Sequence, residues 1–352
     1  MPVPHTSRPG GRYHRPDRIT NWSDYNAGLQ QRGSLPVLQL RLTARGAWRS
    51  RRATGDRGRP EVFSDAWIAA LLTLRIAFRL PWRQVTGLAE TLVGRRAVVP
   101  HFGHLARRAQ RLGAATQLLA RHRAVALHAA IARGGGRPIT VLIDSTGLSL
   151  TGPGPWRSDK PGADPGDARR RKYHKLHAAV DATTLEILSV ALTDSHTGDP
   201  PVVPRLLDAL PRAPAIATLA ADGAYDTRGV YAAAAAHGIT TVLVPPKTGA
   251  RRWPTATPGA ALRNGHFDHG DRTHTVVPGS PAWRRAVGYG VRSLVETTFG
   301  RLAAQGGNRL RARSATGQAA ELWAQLQWLN TTVRLTRPTR VRRADSVGRH
   351  AA

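Results

Sequence analysis

Between Arg137 and Lys247 the hydrophobic pattern changes period several times, and that alternation restricts the fold more than any other feature of the chain. "RPITVLIDST", "HKLHAAVDA" and "LEILSVALT" read as buried strands, the second and third joined by the turn "DATT". A helix from about Pro201, "PVVPRLLDAL", then precedes a strand, "IATLAADG". "DTRGVYAAAAAHG" is a helix closed by Gly238, and "ITTVLVPPK" is a fifth strand. Three consecutive strands followed by alternating helices and strands predict a mixed α/β sheet covered by helices. From Thr248 to about Pro281 the chain is rich in Gly, Pro, Thr and Arg and has little regular pattern, so it reads as an insertion. Two helices follow it, "YGVRSLVETTFGRL" and "GQAAELWAQLQWLNTTVRL". The chain has no internal repeats.

N-terminal to the sheet the reading is helical. "FSDAWIAALLTLRIAFRL" carries Ser64 as a cap and Trp67, Ile68, Leu71, Leu72 and Leu74 at helical spacing. Pro81 interrupts it, "WRQVTGLAETLVG" gives a second helix ending at Gly94, and "HLARRAQRLG" a third that is rich in arginine. Such a set fits a helix-turn-helix DNA reader and equally a plain helical bundle with solvated arginines. Residues 1–60 are expected to be basic and only partly ordered, apart from a short helix in "NWSDYNAGLQQRGSL". The tail from Thr336 is expected to be basic and disordered.

A length of 352 residues leaves room for two or three domains and a large core. Lys and Arg number 52 against 22 Asp and Glu, a formal charge of +30, and the excess recurs along the whole chain. A charge of that size attracts polyanions, and nucleic acid is the leading candidate. The absence of cysteine excludes disulfides, zinc fingers and thiol catalysis together. The N-terminus lacks the apolar core of a signal peptide, and "AWIAALLTL" is too short to span a bilayer, so a soluble intracellular protein is expected.

In so basic a chain the acids that stand at chemically meaningful places are informative. Asp144 in "VLIDST" follows three apolar residues and falls at or near the end of a central strand. A carboxylate there is costly unless it is paired or binds a cation. Asp222 in "LAADGAYD" lies at the C-terminal end of another strand, a position where open α/β sheets hold ligands. Glu296, one of only five glutamates, shares a helix face with Tyr289 and Arg292 at about 100° per residue. Val291, Leu294, Val295, Phe299 and Leu302 form a separate apolar arc. An ordinary Arg–Glu pair at this spacing and a metal ligand are both compatible with the helix geometry.

These blocks resemble a bacterial insertion-sequence transposase of the DDE class, in the group whose last acid lies in a Tyr-x2-Arg-x3-Glu-x6-Lys signature. "YGVRSLVE" matches its Tyr, Arg and Glu; "VLIDSTGL" and "ADGAYD" resemble the blocks around the first and second aspartates. "RKYHKLHAAVD" and the N-terminal blocks "NWSDYNAGLQQRGSL", "FSDAWIAALLTLRIAFRLPWRQ" and "VVPHFGHLARRAQRL" extend the similarity over most of residues 21 to 335. The chain departs from the signature at Ala303, where a lysine that contacts the phosphate backbone is expected.

The resemblance implies a helical DNA-binding region over 61–130. A ribonuclease H-like catalytic domain is implied over 137–335, with the insertion at about 248–281. Asp144, Asp222 and Glu296 would hold two Mg2+ ions, for which Mn2+ can substitute, about 3.5–4 Å apart, as an in-line displacement at phosphorus requires. Water would attack first at the element's end, and the freed 3′-OH would then attack target DNA. Tyr289, Arg292, Lys172, Lys175, Arg107 and Arg108 are the expected DNA contacts. DNA ends and target DNA are the implied partners, with a homo-oligomer assembled on DNA, no membrane, and a cytoplasmic, nucleoid-associated location. A non-catalytic DNA-binding descendant and a related metal-dependent nuclease remain alternative functions. His174 and His177 read as DNA-facing or structural and Trp253 as a hydrophobic anchor, while Asp181, Asp194 and Asp226 read as turn or cap residues.

Overall fold

A computed structural model of the chain describes residues 17–33, 48–50, 61–94, 97–114, 138–150, 173–210, 216–268, 277–336 and 340–342. They belong to two compact units, Met1–Ser34 with Leu335–Ala352, and Leu35–Arg334. In the first unit, helix α1 (Trp22–Arg32) accompanies a two-stranded antiparallel sheet of β1 (Asp17–Ile19) and β8 (Arg340–Arg342). The basic tail thus includes a short strand; its other residues beyond Thr336, and most of residues 1–60, lie outside the described residues.

The second unit is built on one sheet in the order β4-β3-β2-β5-β6. Strand β2 (Ile139–Leu150) is central, antiparallel to β3 (Tyr173–Asp181), which in turn pairs antiparallel with β4 (Ile187–Thr193). On its other edge β2 runs parallel to β5 (Ile216–Ala220), and β5 to β6 (Thr241–Leu243). The mixed α/β sheet read from the period changes is therefore present. The parallel connections run through α5 (Val203–Asp208) and α6 (Arg228–Ala236), and Gly238 at φ +74° ends the turn after α6.

Side-chain alternation sorts the two faces of the sheet. Ile139, Val141, Ile143, Leu219 and Ala221 pack with α5 and α6. Leu142, Leu148, Ala178, Val180 and Ala220 face the other way, onto α9 (Leu294–Ala304) and α10 (Ala315–Leu335). Helix α10 is buried on two sides, which is why its apolar residues show no single stripe. Leu322, Leu326, Leu329 and Val333 meet the sheet, while Ala320, Trp323, Ala324 and Trp328 meet the N-terminal helices. Asn330 pins it further, accepting from the backbone N–H of Ile187 and donating to that residue's carbonyl, each at 2.9 Å.

Those N-terminal helices are α2 (Asp65–Ala77), α3 (Trp82–Val93) and α4 (Phe102–Ala114). Ser64 caps α2 by accepting the Trp67 N–H, and Gly94 closes α3 at φ +51°. The expected insertion is ordered over its described part. Helix α7 (Ala260–Asn264) sends Arg263 into the core to bind Asp226, with Trp253 stacked at 4.3 Å on its guanidinium. Asp226 closes the 3-10 turn Gly223–Tyr225 through its N–H to the Gly223 carbonyl, as a turn or cap residue does, and its side chain is in addition the buried partner of an arginine, a long-range pairing that local pattern does not report. Asp181 and Asp194 do accept backbone N–H groups in turns. No helix among the described residues is long and apolar enough to cross a membrane.

Candidate active site

The site follows from how the edge of β2 is used. Along that edge β5 pairs with Ile139 to Leu142, and the short strand β7 (Arg309–Leu310) pairs with Ser149 and Leu150. Between them no strand among the described residues pairs with β2 on this side, while β3 continues unbroken along the other. Asp144 sits in that gap. It lies in mid-strand, not at or near the strand end expected from the sequence, and the fork between β5 and β7 is what opens its surroundings.

Register then brings Asp222 alongside. Leu142 is opposite Ala220, so Asp144 and Asp222 each lie two residues past the last paired position. Two residues preserve the face of an extended chain, and Asp222 is extended at φ −77° and ψ 174°. Both carboxylates therefore share the face of Leu142 and Ala220, which is the face covered by α9 and α10. One Asp222 carboxylate oxygen accepts the Ala224 N–H at 2.8 Å and caps the following turn.

The third acid arrives on α9. The sequence predicts one helix across Tyr289–Leu302, but the structure has a 3-10 segment over Tyr289–Ser293 before α9 begins. In a 3-10 turn residues three apart eclipse, so Tyr289 and Arg292 still project together. Glu296 stands in the first turn of α9, while Val295 and Leu302 are buried against the sheet. Tyr289 donates to the Ala221 carbonyl at 3.1 Å, which ties this segment to the end of β5 beside Asp222.

The three carboxylates meet at one guanidinium. Arg292 Nη2 lies 2.9 Å from Asp144 and 3.9 Å from Asp222, and Nη1 is hydrogen-bonded to Glu296. Burial raises the Asp144 pKa, and the charges of Asp222 and Glu296 push the same way. The Ser145 N–H and Arg292 oppose them without cancelling the rise. For Arg292, burial works against the charge, but Asp144, Tyr289, Glu296 and Asp222 outweigh it and raise the pKa. Among the described residues no three His, Cys, Asp or Glu side chains are close enough together to hold a metal ion directly. The three acids instead gather around Arg292, and their hard carboxylate oxygens suit a cation such as Mg2+.

The other expected contacts are dispersed. Lys175 Nζ is bonded to Asp199 at 2.9 Å and to the Thr197 carbonyl at 3.1 Å, and Lys172 lies outside the described residues. Arg107 is exposed on α4, whereas Arg108 is buried and bridges Glu61 and Asp65. His177 is buried against Thr193, and His174 bonds Gln318 on α10. The sequence reading overlooked Lys247 and Arg284, which rim a polar cleft of about 530 Å³ opening beside Asp222. The available signal was the position of Lys247, a rare lysine just past the end of a strand.

Comparison with known families gives two matches. Residues 135–330 match a model described as "Transposase DDE domain", and residues 30–153 match a second model with the same description. The second match runs from the N-terminal region through α2–α4 into β2. No solved structure matches the chain.

Proposed function

The chain belongs to the transposase DDE domain family, and from that premise we propose that it is an insertion-sequence DNA transposase whose Asp144, Asp222 and Glu296 form the catalytic carboxylate set. The observation that carries this reading is their convergence on Arg292 from a central strand, a strand end and a helix. Each of the three acids reaches that one guanidinium from a position more than seventy residues from the other two in the chain. The central position of β2 between antiparallel and parallel neighbours supports a ribonuclease H-like reading of the sheet.

Members of this family generally use divalent metal ions. Asp144, Asp222 and Glu296 are the residues that would hold them, and bound Mg2+ would supply charge stabilisation to the attacking and leaving oxygens at phosphorus. The chain's own groups do the rest. Arg292 keeps the three carboxylates gathered at one opening while no cation is bound. Tyr289 fixes the 3-10 segment against Ala221 and thereby sets the position of Arg292. Helices α2–α4 and the exposed Arg107 are the proposed DNA-binding region, with a homo-oligomer holding two ends together. Arg108 is assigned to packing, because its guanidinium is already spent on Glu61 and Asp65.

The test uses the full chain, Mg2+ and a duplex containing the DNA that borders its own gene. Wild type is expected to cleave that duplex and join the 3′ end to a second DNA. Asp144→Ala, Asp222→Ala and Glu296→Ala are each expected to bind the duplex normally. Their cleavage should be slower by at least about 1000-fold, roughly 4 kcal/mol of barrier. Normal cleavage by any of the three would sink the carboxylate assignment. Cleavage without joining would favour the nuclease, and binding without cleavage by wild type the non-catalytic alternative.

A further inference from the structure

The cleft beside Asp222 has a composition that the carboxylate set does not explain. Its wall runs from Asp222 and Gly223 along Pro245 to Thr248 and returns through Arg284, Tyr289 and Arg292. Arg292 is already committed to three acids. Lys247 and Arg284 are not. Both are exposed, and among the described residues the Lys247 ammonium makes no hydrogen bond or ion pair. Among the described residues Arg284, on helix α8 (Pro281–Ala286), donates only its Nε, to the Gly279 carbonyl at 3.2 Å, and its guanidinium lies 5.6 Å from the Tyr289 ring centre.

The backbone under these two cations is well held, so their positions are not those of random surface residues. The Lys247 N–H donates to Asp226 at 3.1 Å, and Asp226 is clamped by Arg263 at 2.7 and 3.0 Å. Two prolines precede Lys247 and limit its approach. Gly279, whose carbonyl accepts from Arg284, is at φ +83° and lies close enough to Pro245 and Pro246 that a Cβ there would touch both at 3.6 Å. Ala303 stands seven residues past Glu296, on the same side of the helix, and offers no charge where a lysine would.

We propose that Lys247 and Arg284 form a phosphate subsite that grips the DNA backbone next to the phosphodiester presented to Asp144, Asp222 and Glu296, in place of the lysine missing at 303. The inference rests on the transposase reading above. The ligand is a backbone phosphate of DNA, for which an exposed lysine and an arginine with free Nη donors are the matching chemistry.

The experiment compares the full-length wild type with the Lys247→Ala/Arg284→Ala double variant on the duplex bordering the gene, over a series of KCl concentrations. Removing one phosphate-binding cation is expected to reduce the slope of log affinity against log salt by about 0.9. The double variant should therefore show a reduction close to twice that, with cleavage falling at least about tenfold and the melting temperature unchanged. The charge-preserving Lys247→Arg/Arg284→Lys variant should keep most of the slope and cleavage, and Ala303→Lys should restore part of both in the double variant. Arg285→Ala, one residue along and outside the cleft, serves as control for general charge. A double variant equal to wild type, or no better separated from wild type than Arg285→Ala, overturns the subsite. Failure of the wild type itself to bind or cleave DNA would instead count against the transposase reading.

Discussion

Replacing Arg292 by alanine would leave three acids facing one another with no cation between them. The largest penalty falls on Asp144, whose side chain is only 14 % exposed, whereas Glu296 at 60 % is largely screened by water. Charge-assisted hydrogen bonds of this kind contribute roughly 1.5–3 kcal/mol. Arg292→Ala is expected to lower the stability of the metal-free protein by about 1–3 kcal/mol. Because Arg292 and a divalent cation compete for the same oxygens, added Mg2+ should raise the melting temperature of the variant more than that of wild type. Equal responses to Mg2+ would separate Arg292 from the cation site. The three acids and the arginine are all named by their sequence motifs, but their mutual distances are not. Arg292 reads as a plain i, i+4 partner of Glu296, and only the fold adds Asp144 and Asp222 to it.

At the scale of elements, the strands were legible because each is a short apolar run bounded by turn residues, and the helices because Ser64, Gly94 and Gly238 mark their ends. The 3-10 segment at Tyr289–Ser293 was not, since its residues fit a helical period equally well and its geometry answers to the Tyr289 contact with Ala221. Buried polar groups between strands were equally hidden. His177 on β3 lies fully buried beside Thr193 on β4 and 3.6 Å from Asp199. Burial lowers its pKa from the usual 6.5, Lys175 and Arg205 lower it further, and Asp199 opposes them. The sign follows directly. The unfolded chain takes up a proton as pH falls below 6.5 while the folded protein keeps this ring neutral. Its contribution is therefore complete above 6.5 and is lost as pH falls through the lowered value. Urea unfolding on both sides of that pH should show wild type losing more stability on acidification than His177→Gln. Parallel pH profiles would mean that this histidine is not buried neutral.

For the whole molecule, the important result is that the N-terminal helices do not own their core. Leu71, Leu74, Val85, Leu105 and their neighbours are completed by Ala320, Trp323, Ala324 and Trp328 of α10, more than two hundred residues away. Large aromatic side chains dominate such packing, and truncating one costs roughly 3–5 kcal/mol. A fragment covering 61–130 is therefore expected to lack a cooperative thermal transition and near-UV dichroism, while the full chain shows both. A sharply melting fragment would mean that those helices are an independent domain, as their sequence alone suggests. By itself the sequence determined the kinds and order of the main strands and helices, the strongly basic character, and the blocks in which the three acids occur, because these depend on local period and composition. Tertiary structure alone decided that β2 is forked by β5 and β7 around Asp144, and that the β2–β5 register sets Asp222 beside it. It also decided that one arginine serves all three acids and that Lys247 and Arg284 flank the same opening. Strand partners and register are chosen by packing between residues far apart in the chain, and no local pattern carries that choice.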